Sequence, residues 1–425
     1  MLPDISGALA RARANAPFLA LLLDREPVLA ERLAAGQFDP AFTSATPDMP
    51  TARRLRLDRR ALALTVAIGD LSGAMDLTAV TQTLSDFADR ALDQAIRAAI
   101  EERTPGAEPR GFAAIALGKQ GSRELNYSSD IDPILIFDPR TLPHRPREEP
   151  EEAAVRIGKR VVELLQARDG DGYVLRVDLR LRPSPEVTPI ALPVEGAIGY
   201  YESQALAWER AAFIRARAAA GDLALGRYFL DAIRPFVWRR GLDFGAIGEI
   251  RDLSRRIRDH YASGQALGPG YDLKRGRGGI REAEFFAQIH QLIHGGRDPA
   301  LRAPATRDAL AQLAAAGWIA EEQAAALTES YTLLRTIEHR VQMIDDRQTH
   351  TLPTGDALDR VARLHGVADG DTLVAVLRGP VEQAGRIYDA LDEGRSAGLP
   401  HEAGALAQAL GEAGFGDGDA AAARI

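Results

Sequence analysis

Cysteine is absent from this 425-residue chain. Neither disulfides nor thiolate metal sites therefore enter its chemistry, and a reducing compartment suits it. Aromatic residues make up only 6% of the sequence, and alanine, leucine and arginine dominate, which favours a largely helical protein. No apolar run is long enough to span a membrane. The stretch Ala16 to Leu23 is apolar but short. It is followed by Asp24-Arg25-Glu26 and lacks a small-residue cleavage site, so it reads as a core helix and not a signal peptide. Basic charge is not in excess either. With 52 Lys and Arg against 60 Asp and Glu the net charge is −8, which argues against a broad basic surface gripping nucleic acid. A soluble, cytoplasmic protein is expected.

The length predicts two or more domains. Residues 1–103 read as successive amphipathic helices, interrupted near Pro40 to Pro50 by a polar, proline-bearing loop. Residues 104–193 carry the strand signals: apolar runs Phe112 to Leu117 and Ile134 to Phe137, a helix from about Glu149 to Arg168, and an alternating run Tyr173 to Arg182. From Val194 to about 395 the pattern is helical again, apart from a glycine-rich interruption at Gly268 to Gly279. Residues 396–425, rich in Gly, Ala and Asp, read as a linker, and an ending without cap or stop signal reads as a cut within a longer polypeptide.

Between the first two apolar runs lies Gly118-Lys119-Gln120-Gly121-Ser122, then Asp130-Ile131-Asp132. If the second run is a strand beginning near Asp130, period-two geometry puts both carboxylates on one face. Carboxylates held side by side repel unless a divalent cation sits between them, and hard oxygen ligands suit Mg²⁺ together with substrate phosphates. Gly121, Ser122 and their backbone N–H groups would cradle those phosphates. Two-metal chemistry needs a further carboxylate. In the alternating run, Tyr173, Leu175, Val177, Leu179 and Leu181 share one face, and Val174, Arg176, Asp178, Arg180 and Arg182 share the other. A charged strand face on its own means solvent, with Asp178 neutralising its arginines. Alongside the Asp-x-Asp, Asp178 reads instead as a third ligand, with guanidinium forks ready for phosphate oxygens.

A second basic, glycine-rich turn, Asp272 to Gly279, precedes a helix running to about His294. Exposed N–H groups at that helix start, with Lys274 and Arg281, make either a phosphate site or simply a turn. No Gly-Lys-Ser/Thr follows, so it is not a Walker A loop. His290 and His294 have the spacing of a zinc pair, but the intervening Gln291-Leu292-Ile293 lacks the glutamate base, so packing or helix-end roles are expected. Glu209-Arg210, Arg215 and Arg217, together with Glu338-His339-Arg340 and Asp345-Asp346-Arg347, read as charged helix faces, solvent-exposed or functional.

Several separate blocks across residues 60 to 390 resemble one known family, the glutamine synthetase adenylyltransferase/adenylyl-removing enzyme. They are Leu117 to Asp132, Arg176 to Pro183, Trp208 to Arg210 with Ala216-Arg217 and Ala220 to Asp222, Gly278 to Phe285, Gln291 to Arg297, and Glu338 to Arg340 with Thr349 to Pro353. Gly-Ser…Asp-x-Asp alone belongs to the whole DNA polymerase beta-like nucleotidyltransferase superfamily; the combination is specific to this family. Departures are Gln120, Ser122 and Pro133, where the family mostly has Leu, Gly and Leu. Pro133 removes a ladder N–H directly after Asp132.

The resemblance implies an α+β, mostly helical fold, with a polymerase beta-like core of small mixed sheet and helices between helical regions. It implies that Asp130, Asp132 and Asp178 hold two Mg²⁺ ions. Arg123 to Asp132 and Gln348 to Pro353 resemble the N-terminal, adenylyl-removing half, in which phosphate attacks adenylyl-tyrosine on glutamine synthetase and yields ADP. Gly121, Ser122, Arg180, Arg182, Lys274 and Arg281 would then contact the phosphates, and the helical regions would meet glutamine synthetase and a PII signal protein. The alternatives are ATP-dependent adenylylation, which shares the site design, and a silent regulatory module binding PII or glutamine synthetase.

Overall fold

The computed structural model describes residues 3–239 and 265–393, so the expected 396–425 linker lies outside the described residues. Proline punctuates the first helices. Pro17 and Pro27 open Pro17–Arg25 and Pro27–Ala34 at their first turns, where a missing N–H costs nothing. After the expected polar loop come two long helices, Thr51–Ser72 and Leu77–Arg103, the second capped by Asp76, which accepts from the Ala79 N–H at 2.8 Å. The Ala16–Leu23 run is indeed core, with Leu19, Leu22 and Leu23 buried.

The sheet is mixed, as expected. β1 (Phe112–Leu117) pairs antiparallel with β2 (Asp130–Phe137), and β2 pairs in parallel with β3 (Arg176–Val177) and β4 (Ala191–Pro193). The outer partner of β1 is β5 (Arg217–Gly221). Because side chains alternate along a strand, the two sheet faces enter different cores. Phe112, Ala114, Ile131, Leu135 and Phe137 pack with the N-terminal helices and helix Pro150–Gln166. Ala113, Ile115, Leu117, Ile134 and Ile136 pack with helices Val194–Ser203 and Leu223–Ala232. A third core fills the bundle of Ile280–His294, Thr306–Ala315, Glu321–Asp345, Asp356–His365 and Gly370–Glu393. That bundle is tied to the N-terminal helices by a bidentate Arg340–Asp70 pair, with bonds of 2.6 and 2.8 Å.

Two strand expectations are corrected. Tyr173 to Arg182 is not one long strand. Asp169 and Gly172 close a tight bridge, the N–H groups of Val174 and Leu175 both reach the Leu165 carbonyl, and Val174 is buried in the core and not on a polar face. Beyond Val177 the chain bends, because the Asp178 carboxylate accepts from the Arg180 N–H at 2.9 Å, a local side-chain turn that competes with the ladder. Conversely, the alanine-rich Arg217–Gly221 stretch reads as helix and is strand. Gly221, at φ 73°, lies so close to β1 that a Cβ there would stand 2.2 Å from the Phe112 carbonyl oxygen. Edge pairing overrides local propensity at this point.

Pro133 leaves β2 intact. The Ile131 carbonyl accepts from Asp178, so odd-numbered β2 residues turn their backbone polar groups toward β3 and β4. β3 pairs only at Asp130 and Ile131, and β4 only from Leu135 onward. The missing N–H falls in the gap between those partners and costs no ladder bond.

Candidate active site

Asp130 and Asp132 extend the row of Ile134 and Ile136 past the end of the core, into a cleft of about 490 Å³ between the sheet and the C-terminal bundle. Asp178, Arg180, Lys274 and Arg281 line the same cleft, together with Gly118, Lys119, Arg215, Glu284 and His350. Residues far apart in sequence thus bring the aspartates of β2 and its neighbour together with cations, Lys119 and Arg215 from the sheet side and Lys274 and Arg281 from the bundle side.

Among the aspartates, Asp130 accepts from Arg176 Nε at 2.8 Å. Asp178 accepts from Arg180 Nε at 2.9 Å, which holds its carboxyl below the usual range. Arg180 itself is 85% exposed, so this clasp is a surface one. Asp132 has no hydrogen bond to its carboxylate among the described residues. Burial, then the charges of Asp178 and Asp130, push it up to about 7 even though Lys274 and Arg180 oppose them. Gly118 makes room for this carboxylate: a Cβ there would sit 2.8 Å from Asp132 Oδ2. Among the described residues no group of three or more His, Cys, Asp or Glu side chains forms a ready-made metal cage. All three carboxylates offer the hard oxygen that suits a divalent cation, and Asp130 and Asp178 both act on Asp132 through their charge, while Arg176 and Arg180 occupy them in its place.

The glycine-serine turn acts differently from its sequence expectation. Gly118–Gly121 is a single helical turn. At Gly121 a Cβ would lie 1.8 Å from the Arg215 carbonyl oxygen, so this glycine serves close packing. Ser122 is buried, with its Oγ 3.3 Å from the Gly118 and Lys119 carbonyls. Neither lines the cleft; Gly118 and Lys119 do. Arg182 is also redirected, since its guanidinium donates to the carbonyls of Leu179, Pro185, Thr188 and Pro189 and ties up the loop after β3.

On the bundle side, the helix-start N–H groups expected to face phosphate are already taken. Ile280 donates to Leu273, Arg281 to Lys274 and Glu282 to Gly279. The reach into the cleft comes from the side chains. Burial, with Arg281 nearby, pulls the Lys274 ammonium down, and burial likewise lowers Arg281. Lys119, whose role the sequence does not reveal, donates to both oxygens of Glu338 at 3.2 and 3.3 Å. Burial, reinforced by Arg335 and Lys274 against the opposing Glu338, brings Lys119 to about 7. Glu338 is fully buried, with His350 Nδ1 2.7 Å from its other flank and Arg335 Nε at 3.4 Å. The His350 carbonyl accepts from Leu273, which fixes the loop that carries Lys274.

The remaining charged motifs are mostly interior, not solvated faces. Glu209, Arg210, Arg215, Glu338, His339 and Arg340 are all buried. Glu209 accepts from the Leu206 N–H and the Tyr200 hydroxyl, and Asp346 from the Tyr173 hydroxyl. His294 stacks on Trp318 with ring centroids 3.6 Å apart, and His290 follows at 6.1 Å, the packing role expected of them.

A family model described as glutamate-ammonia ligase adenylyltransferase matches residues 6–232, and one described as GlnD PII-uridylyltransferase matches residues 250–384. The chain is 46% identical over 385 residues to a bifunctional glutamine synthetase adenylyltransferase/adenylyl-removing enzyme of Caulobacter vibrioides, covering 85% of this chain and 39% of that protein. It is 45% identical over 385 residues to its Xanthobacter autotrophicus namesake, covering 85% and 39%. With the Rhodopseudomonas palustris protein of that name the identity is 40% over 422 residues, covering 93% and 42%. The chain thus spans about two fifths of the length of these relatives. Among the described residues no helix is long and apolar enough to cross a membrane.

Proposed function

The chain belongs to the family of glutamine synthetase adenylyltransferase/adenylyl-removing enzymes, and from that premise we propose that its cleft carries out the removing reaction, phosphorolysis of adenylyl-tyrosine on glutamine synthetase. An oxygen of inorganic phosphate bonds to the AMP phosphorus, the bond to the tyrosine oxygen breaks, and the phosphate's proton is free to pass to the phenolate. The products are ADP and unmodified glutamine synthetase. The observation that carries this reading is the gathering of three aspartates and four cations in one cleft. A dianionic nucleophile must approach an anionic diester, and Lys274, Arg281, Lys119 and Arg215 line the same cleft as the aspartates, where their charge can neutralise it.

Asp132, with Asp130 and Asp178, would hold Mg²⁺. When bound there, the ion supplies electrostatic stabilisation of the phosphoryl oxygens and of the departing phenolate. The chain's own residues do the rest. Lys274 and Arg281 bind and orient the nucleophile. Glu338 and His350 hold Lys119 and the Lys274 loop in place. The tyrosine phenol, with a pKa of about 10, leaves without a dedicated general acid. The protein substrate would reach the cleft across the helical regions, which also offer surface to a PII-type signal protein.

Adenylylated glutamine synthetase with phosphate and Mg²⁺ should release ADP. Release of pyrophosphate from ATP with unmodified glutamine synthetase, and no ADP from the first mixture, would reverse the direction assigned. Lys274→Ala and Arg281→Ala should each raise the phosphate KM by about tenfold or more, the worth of one charge-assisted contact. Arg182→Ala should leave that KM near wild type and lower stability instead. A phosphate KM that follows Arg182 and ignores Lys274 would refute this placement of the nucleophile.

A further inference from the structure

One group among the cations of the cleft has the wrong sign for binding an anion. Glu284 is buried at the cleft lining, among those cations. Its Oε1 accepts from Arg215 Nη1 at 3.1 Å, while no protein group among the described residues donates to Oε2. Arg215 is held from its other side by Thr306 Oγ1 at 2.9 Å, so the pair is fixed against the bundle. Burial favours the neutral acid, but Arg215, Lys119, Lys274 and Arg281 outweigh it and bring Glu284 to about 2, which keeps it ionised at neutral pH. An ionised carboxylate accepts hydrogen bonds and donates none.

Building on the phosphorolysis reading, we propose that Glu284 is the specificity-determining residue for the nucleophile, accepting a hydrogen bond from the proton that phosphate retains and rejecting oxyanions that carry none. Inorganic phosphate near neutral pH keeps at least one proton, whereas sulfate, of almost identical size and shape, keeps none. The cations of the cleft attract both ions. Only the protonated one meets Oε2 with a donor; the other places oxygen against oxygen, a like-charge contact with no hydrogen bond to offset it. Rejection by an unmatched polar group discriminates more strongly than a change of size. Turning the protonated oxygen toward Glu284 also leaves the unprotonated ones free to meet the diester.

The test is anion binding by the full chain, read by isothermal titration calorimetry with sodium phosphate and sodium sulfate at fixed ionic strength and pH 7.5. Wild type should prefer phosphate by about tenfold or more. Glu284→Gln keeps the acceptor for Arg215 and presents an N–H₂ donor to the cleft, so it should bring the two affinities to within about threefold, chiefly by strengthening sulfate. An unchanged preference in Glu284→Gln overturns the proposal. So does a wild type that binds both ions equally, or neither, and that comparison stands even where the variant does not fold. Because no glutamine synthetase is present, the result is separate from the direction of catalysis. Selective phosphate binding without ADP release from adenylylated glutamine synthetase would refute the phosphorolysis reading and leave Glu284 its role.

Discussion

Asp132→Asn is expected to lower single-turnover ADP release roughly a thousandfold, the rate equivalent of the several kcal/mol that a carboxylate-held cation supplies. Among the described residues no arginine clasps Asp132, unlike Asp130 and Asp178, and burial together with Asp178 and Asp130 pushes it up to about 7. The same substitution should stabilise the fold, and the sign follows from linkage. The folded acid holds its proton to a higher pH than the unfolded one, so wild-type stability falls as pH rises from about 4 to about 7. Asparagine removes that loss. The variant should therefore be more stable than wild type above pH 7, on the order of 2–4 kcal/mol in the metal-free protein, and equal to it below about pH 4. Chemical denaturation across pH reads this directly. Turnover within tenfold of wild type would remove Asp132 from the chemistry, and a loss of stability at pH 8 would contradict the electrostatic account.

Glu338→Ala should destabilise the fold by about 3–5 kcal/mol, because it strands buried cations with no counter-charge. Lys119 and Arg335 both lean on this fully buried carboxylate, and His350 touches it from the loop that positions Lys274. Burial favours protonation of Glu338, yet Lys119, Arg335 and His350 hold it well below the usual carboxylate range. Its contribution is consequently present above about pH 4.5 and is lost as pH falls through the depressed folded value, so the gap between variant and wild type should close in acid. Urea unfolding at pH 7.5, and at a series of pH values descending below 4.5, measures both. The double variant Lys119→Met/Glu338→Ala should recover part of the loss, since one stranded charge goes with its partner. A single-variant loss below about 1 kcal/mol would show that water reaches Glu338 and that the clamp is not dry.

How much of the molecule is legible in the sequence differs from element to element. The helix Pro150–Gln166 and strand β2 are readable from periodicity, because burial of one face imposes a pattern that survives in one dimension. The Asp130–Asp132 pair is readable for the same reason. β5 is not, since Arg217 to Gly221 carries helix-favouring alanines and becomes strand only by pairing with β1. Alternation overextends the strand through Asp178, where a single Asp side chain bonding two residues ahead outcompetes the ladder. Charge alone assigns Arg182 to phosphate, and four carbonyls claim it instead.

The sequence by itself determined the helical composition, the small sheet, the two carboxylates on one face and, through blocks spread over much of the chain, the family. These are local or additive properties: periodicity, turn chemistry and residue type act over a few positions at a time. Only the tertiary structure decided which cations share the cleft with the aspartates. Lys119, Glu284 and Glu338 come from segments more than fifty residues apart, and their pairing depends on how the bundle closes over the sheet. Ionisation followed the same rule. Asp132 at about 7 and Glu284 at about 2 are both carboxyl groups lining one cleft, separated by burial and by which charges stand beside them. No spacing in the chain encodes that difference, because the electrostatic environment of a side chain is set by neighbours in space.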